Sequence, residues 1–123
     1  MKRSISLALA MLAIPAAAHA AGDPVKGKTV YARCISCHAL KGPQLMGPNL
    51  IGIAGRRAAS GEGARYSAAL KASGIVWDDA KLDAYLTNTT KLVPGTSMVM
   101  AVPNAQDRAD VIAYLKTLTP PSP

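Results

Sequence analysis

The sequence has few of the residues from which a small protein usually builds its core. It contains no Phe and a single Trp, and aromatic residues make up 4% of its 123 residues. It shows neither an internal repeat nor a composition break that would mark a second domain. A single domain with so few large apolar side chains often needs a staple or a cofactor to be stable.

Acidic residues are also scarce, since seven Asp and Glu stand against 14 Lys and Arg. A basic surface suits nucleic acid, an anionic membrane or an acidic protein partner. The basic residues do not cluster with aromatic ones, and the N-terminus predicts export, so we expect no nucleic-acid binding. An acidic protein partner fits better, and the same charge is equally typical of an ordinary soluble surface.

The apolar run from Ile5 to Ile14 is too short to span a bilayer as a stable anchor. It follows two basic residues and precedes small residues that end at Ala20, the order found in a secretory signal peptide. We therefore expect residues 1–20 to be a signal peptide, the alternative being a retained membrane helix. Cleavage after Ala20 leaves 12 basic and seven acidic residues, a formal charge of +5.

Apolar spacing predicts about four helices and two long loops in a domain that spans residues 21–119. The helices cover residues 23–33, 66–72 and 78–88, and the last begins after the N-cap Asn104, with Asp107 near its positive end. The residues expected on buried helix faces are Gly27, Val30, Tyr31, Leu82, Tyr85, Leu86, Ala109, Ile112, Ala113, Leu115 and Leu118. Residues 39–65 and 89–102 are the predicted loops, long enough to wrap a large flat apolar cofactor, and residues 120–123 are a predicted disordered tail.

The stretch Cys34-Ile-Ser-Cys37-His38 has the pattern of covalent c-type haem attachment. On one helical turn the two thiols face the same way, so they can bond the two vinyl groups of a porphyrin while His38 reaches the iron. A redox-active dithiol is an alternative, but no strand–helix unit adjoins the pair. Zinc usually needs four ligands, and a disulfide across two residues would be strained, so both fit less well.

His38 is the only histidine left after cleavage, so a second protein ligand to the iron must be another residue type. Met46, Met98 and Met100 are the thioether candidates, although a methionine in a small domain is commonly a core residue. Met46 follows His38 too closely to reach the opposite side of a ring. Met98 ends the rigid stretch that starts at Pro94, but spacing alone does not separate it from Met100.

Over residues 22–118 these motifs resemble, in the same order, those of the class I cytochromes c. The matching residues are Gly27, Tyr31, Cys34–His38, Gly47–Leu50, Gly55–Arg56, Gly74–Trp77, Tyr85–Leu86, Pro94–Met98 and Ala113–Leu115. The resemblance implies an all-α cytochrome c fold with long loops wrapped around one covalent haem c. It also implies that helices meet closely at Gly27 and Tyr114.

By this resemblance His38 and Met98 are the two metal ligands. Pro48 offers its carbonyl to the other ring nitrogen of His38, and Tyr85 lies near the Met98 sulfur. Tyr85 also suits an ordinary core position.

Arg56, Tyr66 and Trp77 match positions that hydrogen-bond or neutralise a buried propionate. Arg56 as a solvated charge and Trp77 as a core residue are the alternatives. Two departures stand out: Thr89 replaces a frequent proline, and Ser97 replaces a frequent lysine of the docking surface. We therefore expect weaker electrostatic docking than in lysine-rich relatives.

The resemblance implies a periplasmic single-electron carrier rather than an enzyme, because two protein ligands leave the iron no place for substrate. The expected partners are transient redox proteins: a cytochrome bc-type complex, a terminal oxidase, a reaction centre or a periplasmic reductase. We expect a monomer with only peripheral membrane contact. The alternatives are a haem enzyme or gas sensor, which needs an open sixth position, and a haem-bearing subunit of a larger complex.

Overall fold

The computed structural model describes residues 21–123, so the predicted signal peptide lies outside the described part of the chain. That part contains five α-helices: α1 Pro24–Tyr31, α2 Ala68–Ala72, α3 Asp79–Thr87, α4 Thr89–Leu92 and α5 Ala105–Thr117. None of the helices described has the length and apolar character needed to cross a membrane. The all-α prediction is confirmed, and residues 32–67 form a long connection without a helix.

Polar caps set where the first helices begin. The Asp23 side chain accepts a hydrogen bond from Val25 N at 2.8 Å, and Ser67 Oγ accepts one from Leu70 N at 3.1 Å. Both capping residues have extended backbones, so α1 and α2 begin after them. The predicted starts at residues 23 and 66 were therefore slightly early, and α1 also ends before residue 33.

One predicted loop begins with a helix instead. Residues 89–102 were expected to lack regular structure, yet α4 occupies Thr89–Leu92. Asn88 ends α3 with an extended backbone, and its Oδ1 accepts from Lys91 N at 3.0 Å, which starts a new turn at once. Four residues are too few for apolar periodicity to reveal, so the prediction was wrong there.

α1 crosses α5 at Gly27. A β-carbon at Gly27 would overlap the Asp110 carbonyl oxygen and lie 2.8 Å from Tyr114 Cβ, so only glycine permits this approach. α3 packs against α4 and α5. The close contact implied for Gly27 and Tyr114 is therefore present.

The buried surface of α5 is wider than the single apolar stripe predicted from the sequence. Ile112 and Leu115 are buried as predicted, and Asp110 and Val111 are buried although they were not predicted. The other predicted face residues, Ala109, Ala113 and Leu118, are only half-buried. The reason is that α5 is covered by both α1 and α3, while Val111 and Leu115 face a cavity.

The core surrounds that cavity. Nine of the 13 buried core residues also line the cavity: Tyr31, Ile53, Trp77, Leu82, Tyr85, Leu86, Val102, Val111 and Leu115. Most of the large buried apolar side chains of the protein are therefore arranged around a space.

Candidate haem site

The cavity has a volume of about 500 Å³, within the usual range for a cofactor site. Its walls come from the long connection after α1, from α3, from the segment after α4 and from α5. All nine residues predicted to bind the cofactor line it: Cys34, Cys37, His38, Pro48, Arg56, Tyr66, Trp77, Tyr85 and Met98. Residues far apart in the sequence thus meet at one place.

The two cysteines lie on one turn that continues from α1. Cys37 N and His38 N both donate to the Cys34 carbonyl, at 3.1 and 2.9 Å, and this places both thiols at the cavity wall. Burial raises the pKa of the Cys34 thiol, an effect larger than the opposing one of Arg33. An activated redox thiol has a lowered pKa, so the redox-dithiol alternative loses support.

A zinc centre also lacks support in the part of the chain described. Across residues 21–123, no three His, Cys, Asp or Glu side chains come together in a way that could hold a metal ion. Cys34 and Cys37 are both free thiols. The geometry therefore leaves the thiols available for another bond.

The His38 imidazole is held by the adjacent residues Gly47 and Pro48. Its Nδ1 lies 2.8 Å from the Pro48 carbonyl oxygen, and because a carbonyl only accepts, Nδ1 must carry the proton. The other nitrogen, Nε2, then keeps a lone pair for a metal. Gly47 backs the ring so closely that a β-carbon there would overlap it, and the Tyr31 hydroxyl donates to the His38 carbonyl at 2.6 Å.

The three candidate methionines differ in their surroundings. Met98 is half-buried, lines the cavity and packs against the core. Met100 is also half-buried at the cavity wall, whereas Met46 is 83% exposed at its rim. Burial therefore separates Met46 from the other two.

A buried pair of hydroxyl groups precedes Met98. The Tyr85 and Thr96 hydroxyls lie 2.7 Å apart, and Thr96 is 7% exposed. Burial raises the pKa of Tyr85 more strongly than this hydrogen bond lowers it, so the phenol stays neutral at physiological pH. The pair ties the Met98 segment to α3.

Arg56, Tyr66 and Trp77 lie together on the long connection and the short segment before α3. Arg56 donates to the Ile51 and Asn49 carbonyls at 3.2 Å each, and Tyr66 Oη accepts from Gly61 N at 3.1 Å. Trp77 is 5% exposed and packs on the Tyr85 ring with centroids 4.9 Å apart. These side chains are thus held in place by the protein itself.

The charged residues of the cavity wall are of one kind. They are all arginines, namely Arg33, Arg56, Arg57 and Arg65, and no acidic residue is among them. An arginine-lined wall is suited to the carboxylates of a cofactor.

Sequence reasoning assigned no role to several residues of the site. Gly47 and Thr96 belong to the motifs quoted above, but only the structure shows their contacts. The His38 ring lies against Gly47, and the Tyr85 hydroxyl lies beside the Thr96 hydroxyl. Arg57 and Arg65 carry no sequence signal of their own, since any basic residue can be a solvated surface charge.

The residues present fit a covalent haem. The cavity is mainly apolar, both thiols and the His38 ring lie at its wall, and the arginines supply positive charge for two propionates. Gly47 leaves room for the imidazole, and Nε2 is free to bind iron.

Comparison with known proteins agrees with this fit. Residues 24–119 match the family model described as cytochrome c. The chain is 48% identical over 117 residues to cytochrome c2 of Rhodomicrobium vannielii, covering 92% of this chain and 93% of that one. It is 48% identical over 99 residues to cytochrome c of Theileria annulata, covering 77% and 85%. Among solved structures, cytochrome cH from Methylobacterium extorquens superposes with a TM-score of 0.75 at 41% identity, covering 78% of this chain and 99% of that one.

Proposed function

The chain belongs to the cytochrome c family, and we propose that it is a soluble periplasmic carrier of single electrons. Its cofactor is one haem c, bound covalently through Cys34 and Cys37. When bound, the haem supplies an iron that changes between the ferrous and ferric states by one electron. The protein's own contribution is to hold, orient and shield that group.

His38 and Met98 are the proposed iron ligands. The observation that carries the proposal is the hydrogen bond from His38 Nδ1 to the Pro48 carbonyl, which leaves Nε2 available at the cavity wall. A thioether as the other ligand favours ferrous iron and raises the reduction potential relative to two histidines. With both positions filled, the iron has no place for a substrate, which supports a carrier rather than an enzyme.

Arg56, Tyr66 and Trp77 are the proposed propionate neighbours, because all three line the cavity and Trp77 is buried. The surrounding apolar side chains exclude water from most of the ring. A nearly dry site changes little when the iron changes charge, so electron exchange needs little reorganisation.

The proposed location is the periplasm, after cleavage near Ala20. The match to the Rhodomicrobium cytochrome c2 covers 92% of the chain, more than residues 21–123 contain, so it extends into the predicted signal peptide. Transient redox partners such as a cytochrome bc-type complex, a terminal oxidase, a reaction centre or a periplasmic reductase fit a basic monomer with peripheral membrane contact.

Carbon monoxide tests whether the sixth position is closed. We expect the visible spectrum of the reduced holoprotein to stay unchanged when carbon monoxide is added, because the Met98 sulfur would already fill the sixth coordination position of the iron. Prompt conversion to a carbonyl-haem spectrum would contradict the carrier proposal and favour a haem enzyme or gas sensor.

Two matched variants identify the ligand. Met98→Ala should bind carbon monoxide readily, whereas Met100→Ala should behave like the wild-type protein. The opposite result would assign the ligand to Met100, the other half-buried methionine of the wall.

A further inference from the structure

The Thr89 hydroxyl is buried against the segment that carries Met98. Thr89 is the first residue of α4 and only 1% exposed, and its Oγ1 accepts a hydrogen bond from Met100 N at 3.3 Å. Within residues 21–123, every buried side-chain nitrogen or oxygen has a partner. The buried Thr89 hydroxyl thus has its partner in the backbone just after Met98.

The same segment is tied at two further points. Before Met98, the Thr96 hydroxyl pairs with the Tyr85 hydroxyl at 2.7 Å. Beyond Met100, Val102 N donates to the Leu86 carbonyl at 2.7 Å. Met98 therefore lies midway between a tie to α3 and a tie to α4.

Few contacts restrain the Met98 segment on its solvent-facing side. Residues 98–104 have no regular secondary structure, Ser97 is exposed and Val99 is 78% exposed. The position of the Met98 sulfur thus depends on the contacts that α3 and α4 make with the inner side of the segment.

We propose that Thr89 is a positioning residue for Met98, acting through the backbone amide of Met100. The inference rests on the proposed ligation of iron by Met98. The Thr89 hydroxyl restrains the ligand segment as a side-chain acceptor for this amide.

The Thr89 hydrogen bond stabilises only one of two states of the Met98 segment, the closed state in which the segment lies against the cavity and not the open state in which it has moved away. When the Met98 segment lies against the cavity, the partly buried Met100 N–H donates to the buried Thr89 hydroxyl, and leaving this N–H without a partner there costs free energy. When the segment moves out, water can satisfy the same N–H. Removing the hydroxyl therefore destabilises the closed state alone and shifts the population toward the open one.

Imidazole binding to the ferric holoprotein measures this shift, because imidazole competes with Met98 for the iron. We expect Thr89→Val, which keeps the shape but lacks the acceptor, to bind imidazole roughly tenfold more tightly than the wild-type protein. The charge-transfer band of methionine-ligated ferric haem should disappear at correspondingly lower imidazole concentrations. If Thr89→Val folds poorly, Thr89→Ala removes the same acceptor and carries the same expectation.

Two variants serve as controls. Thr89→Ser keeps the hydroxyl and should retain nearly wild-type imidazole affinity. Thr90→Val removes the neighbouring exposed hydroxyl, which contacts Asn88 Oδ1 at 3.0 Å, and should leave the affinity unchanged.

The outcomes separate the two proposals. If Thr89→Val and Thr89→Ala lose unfolding free energy but keep wild-type imidazole affinity, Thr89 is merely structural and the inference is wrong. If Met98→Ala binds imidazole no more tightly than the wild-type protein, Met98 is not the ligand and the proposed function itself fails.

Discussion

The His38 imidazole lies so close to the backbone of Gly47 that no side chain fits between them. A β-carbon built on Gly47 would overlap the ring, with Nδ1 only 2.7 Å away. Pro48 follows directly, and its carbonyl oxygen accepts a hydrogen bond from Nδ1. The glycine and the carbonyl beside it therefore orient the imidazole together, as outer contacts do for most metal-bound histidines.

Gly47→Ala should displace the His38 ring. We expect a loss of roughly 1–3 kcal/mol in the free energy of unfolding, the usual cost of overpacking. A shift in the haem spectrum and the reduction potential should accompany it, because the Pro48 hydrogen bond is disturbed. Denaturant unfolding and redox titration of the holoprotein measure both effects.

Gly74→Ala is the matched control for this substitution. Gly74 has a φ of 66°, and a β-carbon there meets nothing within 4 Å. Backbone strain alone should lower its stability while the haem spectrum stays as in the wild-type protein. An unchanged spectrum and potential in Gly47→Ala as well would refute the orienting role of Gly47.

At the scale of the helices, the junction of α1 and α5 depends on a buried carboxylate. Asp110 is 3% exposed; its Oδ1 accepts from Asp23 N at 2.8 Å and from Gln106 Nε2 at 2.9 Å. The Asp23 N–H, followed by the Gln106 amide, lowers the pKa of Asp110 below its ordinary value. The charged form thus ties the start of α1 to the middle of α5.

The lowered pKa predicts a pH-dependent contribution to stability. Because the folded-state pKa lies below the unfolded one, the stabilisation is complete above the unfolded pKa of about 4 and is lost as the pH falls through the folded value. Asp110→Asn keeps an acceptor but lacks the charge, so it should be less stable than the wild-type protein at pH 7. Urea unfolding should show the difference shrinking below about pH 4.

Asp79→Asn provides the comparison for this experiment. Asp79 pairs with Lys116 at 2.9 Å, but both side chains are more than half exposed. Its loss should change the unfolding free energy by less than about 1 kcal/mol. A stability gap for Asp110→Asn that stays constant down to pH 2 would show that its charge is not what matters.

Over the whole molecule, positive charge gathers around the cavity. The wall holds four arginines and no acidic residue, and of the four Arg33 forms an ion pair, with Asp107 at 3.4 Å. Asp79 and Asp83 pair with Lys116 and Arg108, which do not line the cavity. The exposed rim also includes the apolar side chains of Met46 and Val99. This rim combines positive charge with apolar contact area, so steering and contact should both contribute to docking.

The charge distribution predicts how small oxidants react. Oxidation of the reduced holoprotein by ferricyanide, an anion, should slow as salt is added. Arg65→Gln should lower the rate at low salt by roughly twofold, because Arg65 is an exposed charge of the cavity wall. Stopped-flow measurements over a range of ionic strengths test this.

Lys91→Gln is the control, since Lys91 is exposed but does not line the cavity. It should reduce the rate less than Arg65→Gln, and all three proteins should converge near 1 M salt, where the screening length is about 3 Å. Equal effects of the two substitutions would mean that net charge, and not its position, steers the oxidant.

The sequence by itself determined the features that depend on residues close together along the chain. The Cys34–His38 turn, the buried faces of α1 and α3 and the Asn104 cap of α5 were all predicted and are present. Each rests on contacts within about one helical turn, and such contacts leave a direct mark on residue spacing. The family resemblance supplied the overall fold on the same motifs.

Only the tertiary structure decided which distant groups meet. Asp110 caps the start of α1 from 87 residues away, and the Tyr85 and Thr89 hydroxyls each reach a partner 11 residues on, in the Met98 segment. No local pattern encodes these pairs, because they depend on how the helices pack around the cavity. The arginines of the wall follow the same rule: their charge is visible in the sequence, but their gathering is a result of the fold.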